Sequence, residues 1–202
     1  MAADGICIGG FQPFSLSDFP GRAAAILFTQ GCNWRCPFCH NRSLWTRTPP
    51  EPPIKTAAEV YAFLKERQGR LGGLVVTGGE PTLQEELSGF LGGVKSLGLA
   101  VKLDTNGSRP EVVEALLAAE LVDYIAMDVK APVEKYDQLC GCPVDMDAVR
   151  RTMALIADSG RPHHFRTTFY PDLLSEADIE EIQDLIPPRS ELKLQAYQAP
   201  HP

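Results

Sequence analysis

From residue 56 onward the chain keeps returning to one unit of roughly 25 to 30 residues, a helix-patterned stretch followed by a short apolar run. The helical stretches open on recognisable start signals. Thr56-Ala57-Ala58-Glu59 and Thr82-Leu83-Gln84-Glu85 have the form of capping boxes. Ser108-Arg109-Pro110-Glu111 places a proline in the first turn, residues 145–159 read as a fourth helix, and Ser175-Glu176-Ala177-Asp178 caps the fifth. Behind these signals come apolar stripes such as Leu87, Phe90, Leu91 and Val94. The intervening runs at 74–77, 101–105, 124–129, 165–169 and 192–197 are short, continuous and apolar, as is an earlier one at 24–29. Six strands alternating with five helices predict a parallel sheet with right-handed crossovers. The pattern alone leaves an open doubly wound sheet and a partial barrel both standing. Residues 6–22, broken by Gly9-Gly10 and Pro13, predict a small antiparallel element or loop before the core, and Pro49-Pro50-Glu51-Pro52-Pro53 predicts a surface loop.

Between the first two strands lies Gly31-Cys32-Asn33-Trp34-Arg35-Cys36-Pro37-Phe38-Cys39-His40-Asn41. It carries three of the six cysteines at C-x3-C-x2-C spacing. A closed structural zinc site wants four ligands, and no fourth cysteine or His-x3-5-His pair stands at matching spacing. Three thiolates on a [4Fe–4S] cluster leave one iron open, which implies chemistry rather than stapling. Cys140-Gly141-Cys142 supplies too few ligands for a second metal site, and its plainest reading is two loop cysteines with no shared task.

The cysteine loop, with Phe28-Thr29-Gln30-Gly31 before it and His40-Asn41 after it, resembles the radical S-adenosylmethionine (SAM) superfamily, and within it the activases of glycyl-radical enzymes. The lead-in Phe11-Gln12-Pro13-Phe14-Ser15-Leu16-Ser17-Asp18-Phe19-Pro20-Gly21 most resembles activating proteins of anaerobic ribonucleoside-triphosphate reductases. The resemblance covers nearly the whole chain. It implies a partial (β/α)6 TIM-type barrel, one radical SAM domain over 1–202, with an extension at 1–22 and the core at 23–198. It further implies that Cys32, Cys36 and Cys39 hold the cluster and that the open iron takes SAM. The cleaved cofactor would give a 5′-deoxyadenosyl radical that abstracts hydrogen from a backbone glycine of the partner. An external one-electron donor, flavodoxin or ferredoxin, would reduce the cluster.

In parallel α/β folds, ligand sites collect at the carboxyl ends of the strands, and this chain's polar interruptions fall there. Gly78-Gly79-Glu80 resembles the family's GGE motif, with glycines that leave backbone open to close approach and a carboxylate for the SAM ammonium. By the same resemblance Asp128 and Lys130 reach the SAM ribose and carboxylate. Asp104, Thr105 and the Met127 carbonyl would hold a monovalent cation, and the Phe38 backbone would lie against the adenine. Arg166 either contacts SAM or the substrate, or pairs with an acid inside the barrel. Asp18 resembles the residue that activases place near the incoming glycyl loop, although Phe19 stands where they have glycine.

Composition narrows the partners. A net charge of −7 argues against sequence-independent nucleic-acid binding. No apolar run reaches the roughly 20 residues of a membrane span, and the first five residues lack a leader's basic region. Clustered cysteines without a leader predict a cytoplasmic chain. Three alternatives stand beside the reductase activase. They are an activator of another glycyl-radical enzyme such as pyruvate formate-lyase, a small-molecule radical SAM enzyme, and a non-catalytic metal-binding redox module.

Overall fold

A computed structural model describes residues 5–48 and 50–197. Residues 1–4, on which the leader expectation rests, and the expected core boundary at 198 therefore lie outside the described residues, as does the first proline of the 49–53 connector. Seven strands form one sheet: β1 (Ile8–Ser15), β2 (Ala24–Thr29), β3 (Gly73–Gly78), β4 (Ala100–Thr105), β5 (Tyr124–Asp128), β6 (His163–Phe169) and β7 (Leu192–Ala196). They lie in chain order. β1 runs antiparallel to β2, and every later pair is parallel. The sheet does not close, so β1 and β7 are both edges.

Six helices are interleaved: α1 (Ala57–Glu66), α2 (Leu87–Ser96), α3 (Pro110–Ala118), α4 (Tyr136–Cys140), α5 (Met146–Asp158) and α6 (Glu176–Leu185). Thr56 closes the expected capping box on α1, Ser175 caps α6 as expected and adds a box with Asp178, Pro110 opens α3, and Asp145 caps α5. The expected box at Thr82 does not form. Pro81–Leu83 is a single 3-10 turn, the Thr82 hydroxyl donates to Glu80, and α2 begins only at Leu87. A buried carboxylate out-competes the helix for that hydroxyl. α4, a five-residue helix between β5 and α5, carries no start signal in the sequence.

The register sorts the strands into two faces. Leu74 lies beside Val101, Val76, Leu103 and Ile125 lie side by side, and Met127 pairs with Phe165. With the helices they form the main core, where Leu87, Phe90, Leu91 and Val94 of α2 are buried. Each such side chain contributes about 1.5–3 kcal/mol by leaving water. The other face starts apolar and turns polar along the strands. Phe19, Ala24, Ile26 and Val75 form a small second core at its base, joined by Tyr124. A Cβ on Gly73 would lie 2.8 Å from the Phe19 ring. Phe19, the residue that replaces the family's glycine, therefore plugs the floor of the inner face. Above it the same face carries Lys102, Asp104, Asp128, His164 and Arg166.

Candidate active site

The cysteine loop is fastened at both ends. Gly31 N–H donates to Leu44 O at 2.8 Å and Cys32 N–H to Trp45 O at 3.2 Å. The buried Gln30 side chain donates to Ser43 O and Thr46 O, both at 2.9 Å. Gln84 in turn donates to Gln30 O at 2.8 Å. Within the loop, Trp34 N–H points at Cys32 Sγ at 3.4 Å and Asn41 N–H at Cys39 Sγ at 3.3 Å. Such donors stabilise thiolates and tune iron–sulfur centres.

Gly78 and Gly79 hold this loop against β3. Gly79 N–H donates to Thr29 O at 2.9 Å and Glu80 N–H to Gly31 O at 2.8 Å. A Cβ on Gly79 would sit 2.1 Å from Gly31 O, and one on Gly78, at φ 117°, 2.3 Å from Thr29 N. Glycine is demanded here by backbone packed on backbone. This corrects the expectation that the pair leaves its backbone open.

Glu80 is buried and accepts four hydrogen bonds: Thr82 N–H at 3.1 Å, the Thr82 hydroxyl at 2.6 Å, the Thr105 hydroxyl at 2.7 Å and Asn106 N–H at 2.7 Å. All four donors are neutral. Among the described residues no lysine or arginine pairs with it, and burial raises its carboxyl above the usual range. A buried anion facing a cavity without a cation is costly, and a cationic ligand group would relieve that cost. Asn106 also donates to Asn33 at 2.9 Å, which ties the end of β4 to the cysteine loop.

The inner face carries an alternating chain of charge, Lys102–Asp104–Arg166–Asp128–Lys130. Lys102 pairs with Asp104. Arg166 reaches Asp104 at 3.3 Å and Asp128 at 2.6 Å, and Lys130 meets Asp128 at 2.8 Å. Arg166 can cross β5 because Ala126 stands between Asp104 and His164 in register. Burial alone would raise the Asp128 carboxyl, but Arg166 and Lys130 outweigh it and hold Asp128 well below the carboxylate range. Asp128, working against burial, likewise raises Lys130, and it also raises Arg166. Of the readings open for Arg166, the pairing inside the barrel is present in this structure. Lys102 escaped the sequence reading. The signal was there, since Val101-Lys102-Leu103-Asp104-Thr105 alternates apolar and polar with the period of a strand.

Asp104, Asp128, Lys130 and Arg166 line, with Glu80 and the three cysteines, one cavity of about 340 Å³, of a size to take a small ligand. Every site residue expected from the sequence lines it except Met127. Met127 is fully buried on the helix-covered face. Phe38 turns its ring inward, 5.9 Å from the Lys130 ammonium and 6.3 Å from the Tyr170 ring. Asp18 stands exposed, held by Ser15 and by Ser17 at 3.0 Å.

The three thiols differ in character. Burial pushes Cys32 up to about 12. The neighbouring Cys140 thiol is the first cause that holds Cys36 below the usual thiol range. Among the described residues no three His, Cys, Asp or Glu side chains gather closely enough for one metal ion. A cubane's cysteine sulfurs sit on separate irons and stand further apart than a single ion's ligands. The donor set, three thiols on one cavity wall with N–H groups on two of them, fits such a cluster. No helix among the described residues is long and apolar enough to cross a membrane.

The family model described as the radical SAM superfamily matches residues 26–186. A "putative glycyl-radical enzyme activating enzyme" of Methanocaldococcus jannaschii is 34% identical over 183 residues, 87% of this chain and 73% of that protein. The pyruvate formate-lyase 1-activating enzyme of Escherichia coli K12 is 33% identical over 129 residues, 61% of this chain and 51% of that protein. Among solved structures, Streptococcus suis SuiB bound to precursor peptide SuiA superposes with a TM-score of 0.66 at 18% identity. That match covers 86% of this chain and 38% of SuiB, and it shows a shared fold.

Proposed function

The chain belongs to the radical SAM superfamily, and on that premise we propose that it is an activase that installs the radical of a glycyl-radical enzyme, an anaerobic ribonucleotide reductase. The observation that carries the reading is the single cavity at the carboxyl ends of the strands. It joins the three thiols of Cys32, Cys36 and Cys39 to Glu80, a buried carboxylate that no lysine or arginine among the described residues pairs with. When bound, a [4Fe–4S] cluster with SAM supplies one-electron cleavage of the sulfonium and hydrogen abstraction from a backbone glycine of the partner.

The chain's own residues bind, orient and shield. Cys32, Cys36 and Cys39 hold the cluster, and the Trp34 and Asn41 N–H groups steady the first and last of these sulfurs. Glu80 compensates the SAM ammonium, Gly78 and Gly79 keep it at that depth, and Lys130 neutralises the carboxylate. Asp128 accepts from the ribose while Arg166 holds it in place. The Phe38 backbone would meet the adenine. A monovalent cation at Asp104, Thr105 and the Met127 carbonyl belongs to the same proposal, and it shares Asp104 with Lys102 and Arg166. Asp18 meets the incoming glycyl loop. Phe14 and Leu16, exposed just before it, are apolar side chains that a protein substrate would cover. Flavodoxin or ferredoxin provides the electron. All six cysteines are free, in keeping with a reducing cytoplasm.

The test is electron paramagnetic resonance on mixtures of the reduced, SAM-loaded protein with individual glycyl-radical enzymes. A glycyl radical doublet on the reductase supports the proposal. A doublet only on pyruvate formate-lyase moves it to that substrate. SAM cleavage without a doublet on any glycyl-radical enzyme points to a small-molecule substrate instead.

A further inference from the structure

Two cysteines outside the C-x3-C-x2-C loop pack against it. α4 ends at Cys140, Gly141 turns the chain at φ 67°, and Cys142 follows. From this corner four consecutive residues of the cysteine loop are touched in turn. The Cys142 thiol donates to Asn33 O at 3.7 Å. The Tyr136 ring meets Trp34 edge to face at 5.9 Å. Arg35 N–H donates to Cys140 O at 2.7 Å. The Cys140 thiol, fully buried, lies beside the Cys36 thiol. The contact leaves no room for change at Gly141, where a Cβ would lie 2.4 Å from Arg35 O.

The direction of the thiol pair follows from chemistry. A Cys36 that ligates iron has lost its proton, so only Cys140 can donate. A donor on a ligand sulfur favours the more negative, reduced state of an iron–sulfur centre. We propose that Cys140 is a positioning residue of the cluster site, whose S–H donates to the Cys36 sulfur, fixes that ligand and makes the cluster easier to reduce. The inference rests on the functional reading above and names a group which that reading does not use.

Two substitutions separate donation from packing. Cys140→Val keeps bulk and removes the donor, and Cys140→Ser keeps a donor. In the reconstituted protein, potentiometric titration read by electron paramagnetic resonance should place Cys140→Val at a more negative midpoint. At the wild-type midpoint, fewer than half of its clusters should then be reduced. Cys140→Ser should titrate close to wild type. A Cys140→Val midpoint equal to wild type overturns the proposal, and so does a Cys140→Ser midpoint displaced as far as that of Cys140→Val.

The contact itself is read without a cluster. In a chain with Cys7, Cys32, Cys39 and Cys142 replaced by serine, oxidised glutathione should join Cys36 to Cys140. Two glutathione thiols are released for each link, and peptide mass spectrometry locates it. A folded chain that keeps both thiols free removes the contact and the proposal with it. If the link forms but wild-type protein takes up no iron, the functional reading falls, and Cys140 loses its role at a cluster while the contact stands.

Discussion

Gly79→Ala tests how the cysteine loop is held. The new methyl would begin 2.1 Å from Gly31 O and 2.6 Å from Gly31 C, both backbone atoms that cannot swing aside. Real Cβ contacts do not fall below 3.0 Å, so the two segments must part by at least 0.9 Å. That separation takes the Glu80–Gly31 hydrogen bond from 2.8 Å to about 3.7 Å, where it no longer exists. The neighbouring Gly79–Thr29 bond, at 2.9 Å, is strained with it. The lost bond costs about 1 kcal/mol, and forcing atoms into a filled space costs a further 1–3 kcal/mol. We therefore expect a loss of about 3 kcal/mol in urea unfolding, together with poor iron retention after reconstitution. Gly92→Ala is the control. It sits inside α2 with its nearest neighbour 4.0 Å away, and it should be neutral or stabilise by up to about 1 kcal/mol. A Gly79→Ala protein within about 0.5 kcal/mol of wild type, with full iron, would refute the claim that this clasp shapes the loop.

Three further outcomes are expected. Asp128→Asn leaves Arg166 and Lys130 without their shared anion, and because these side chains are only 15–23% exposed it should cost about 3 kcal/mol in urea unfolding; a loss below about 1 kcal/mol would show that the network adds little. His164 is pushed down to about 4 by burial, so the unfolded chain binds its proton first as pH falls. The stability it contributes is complete above about pH 6.5 and is lost by pH 4, about 3 kcal/mol in all; His164→Gln should flatten the pH dependence in that window, and an unchanged slope would count against a buried neutral imidazole. Ser175→Ala removes the side-chain acceptor for Asp178 N–H at the start of α6, and its thermal midpoint should fall by the equivalent of about 1 kcal/mol.

The parallel strands were legible because each is a short apolar run ended by turn residues, and the six expected runs match β2 to β7 to within about two residues at either end. The cysteine loop and its cavity partners were legible through the family resemblance, which placed them at the carboxyl ends of strands. What the sequence hid depends on contacts between distant segments. Nothing local to Tyr136-Asp137-Gln138-Leu139-Cys140 announces that it packs on Asn33 to Cys36. The Thr82 box has a valid form, yet the nearby buried Glu80 takes its hydroxyl. The glycines at 78 and 79 were picked out for the right place and the wrong reason. What they accommodate is the neighbouring chain at 29–31. Phe19, visible only as a departure from the family pattern, shows its role once Gly73 and Tyr124 are seen around it.

The central claim is that Cys32, Cys36 and Cys39 carry a cluster that cleaves SAM within this cavity. The direct measurement is anaerobic: load iron and sulfide, reduce, add SAM and assay 5′-deoxyadenosine, with Cys36→Ala alongside. The account predicts the nucleoside from wild type and none from the variant. A wild-type protein that holds a full, reduced cluster and leaves SAM intact would contradict it.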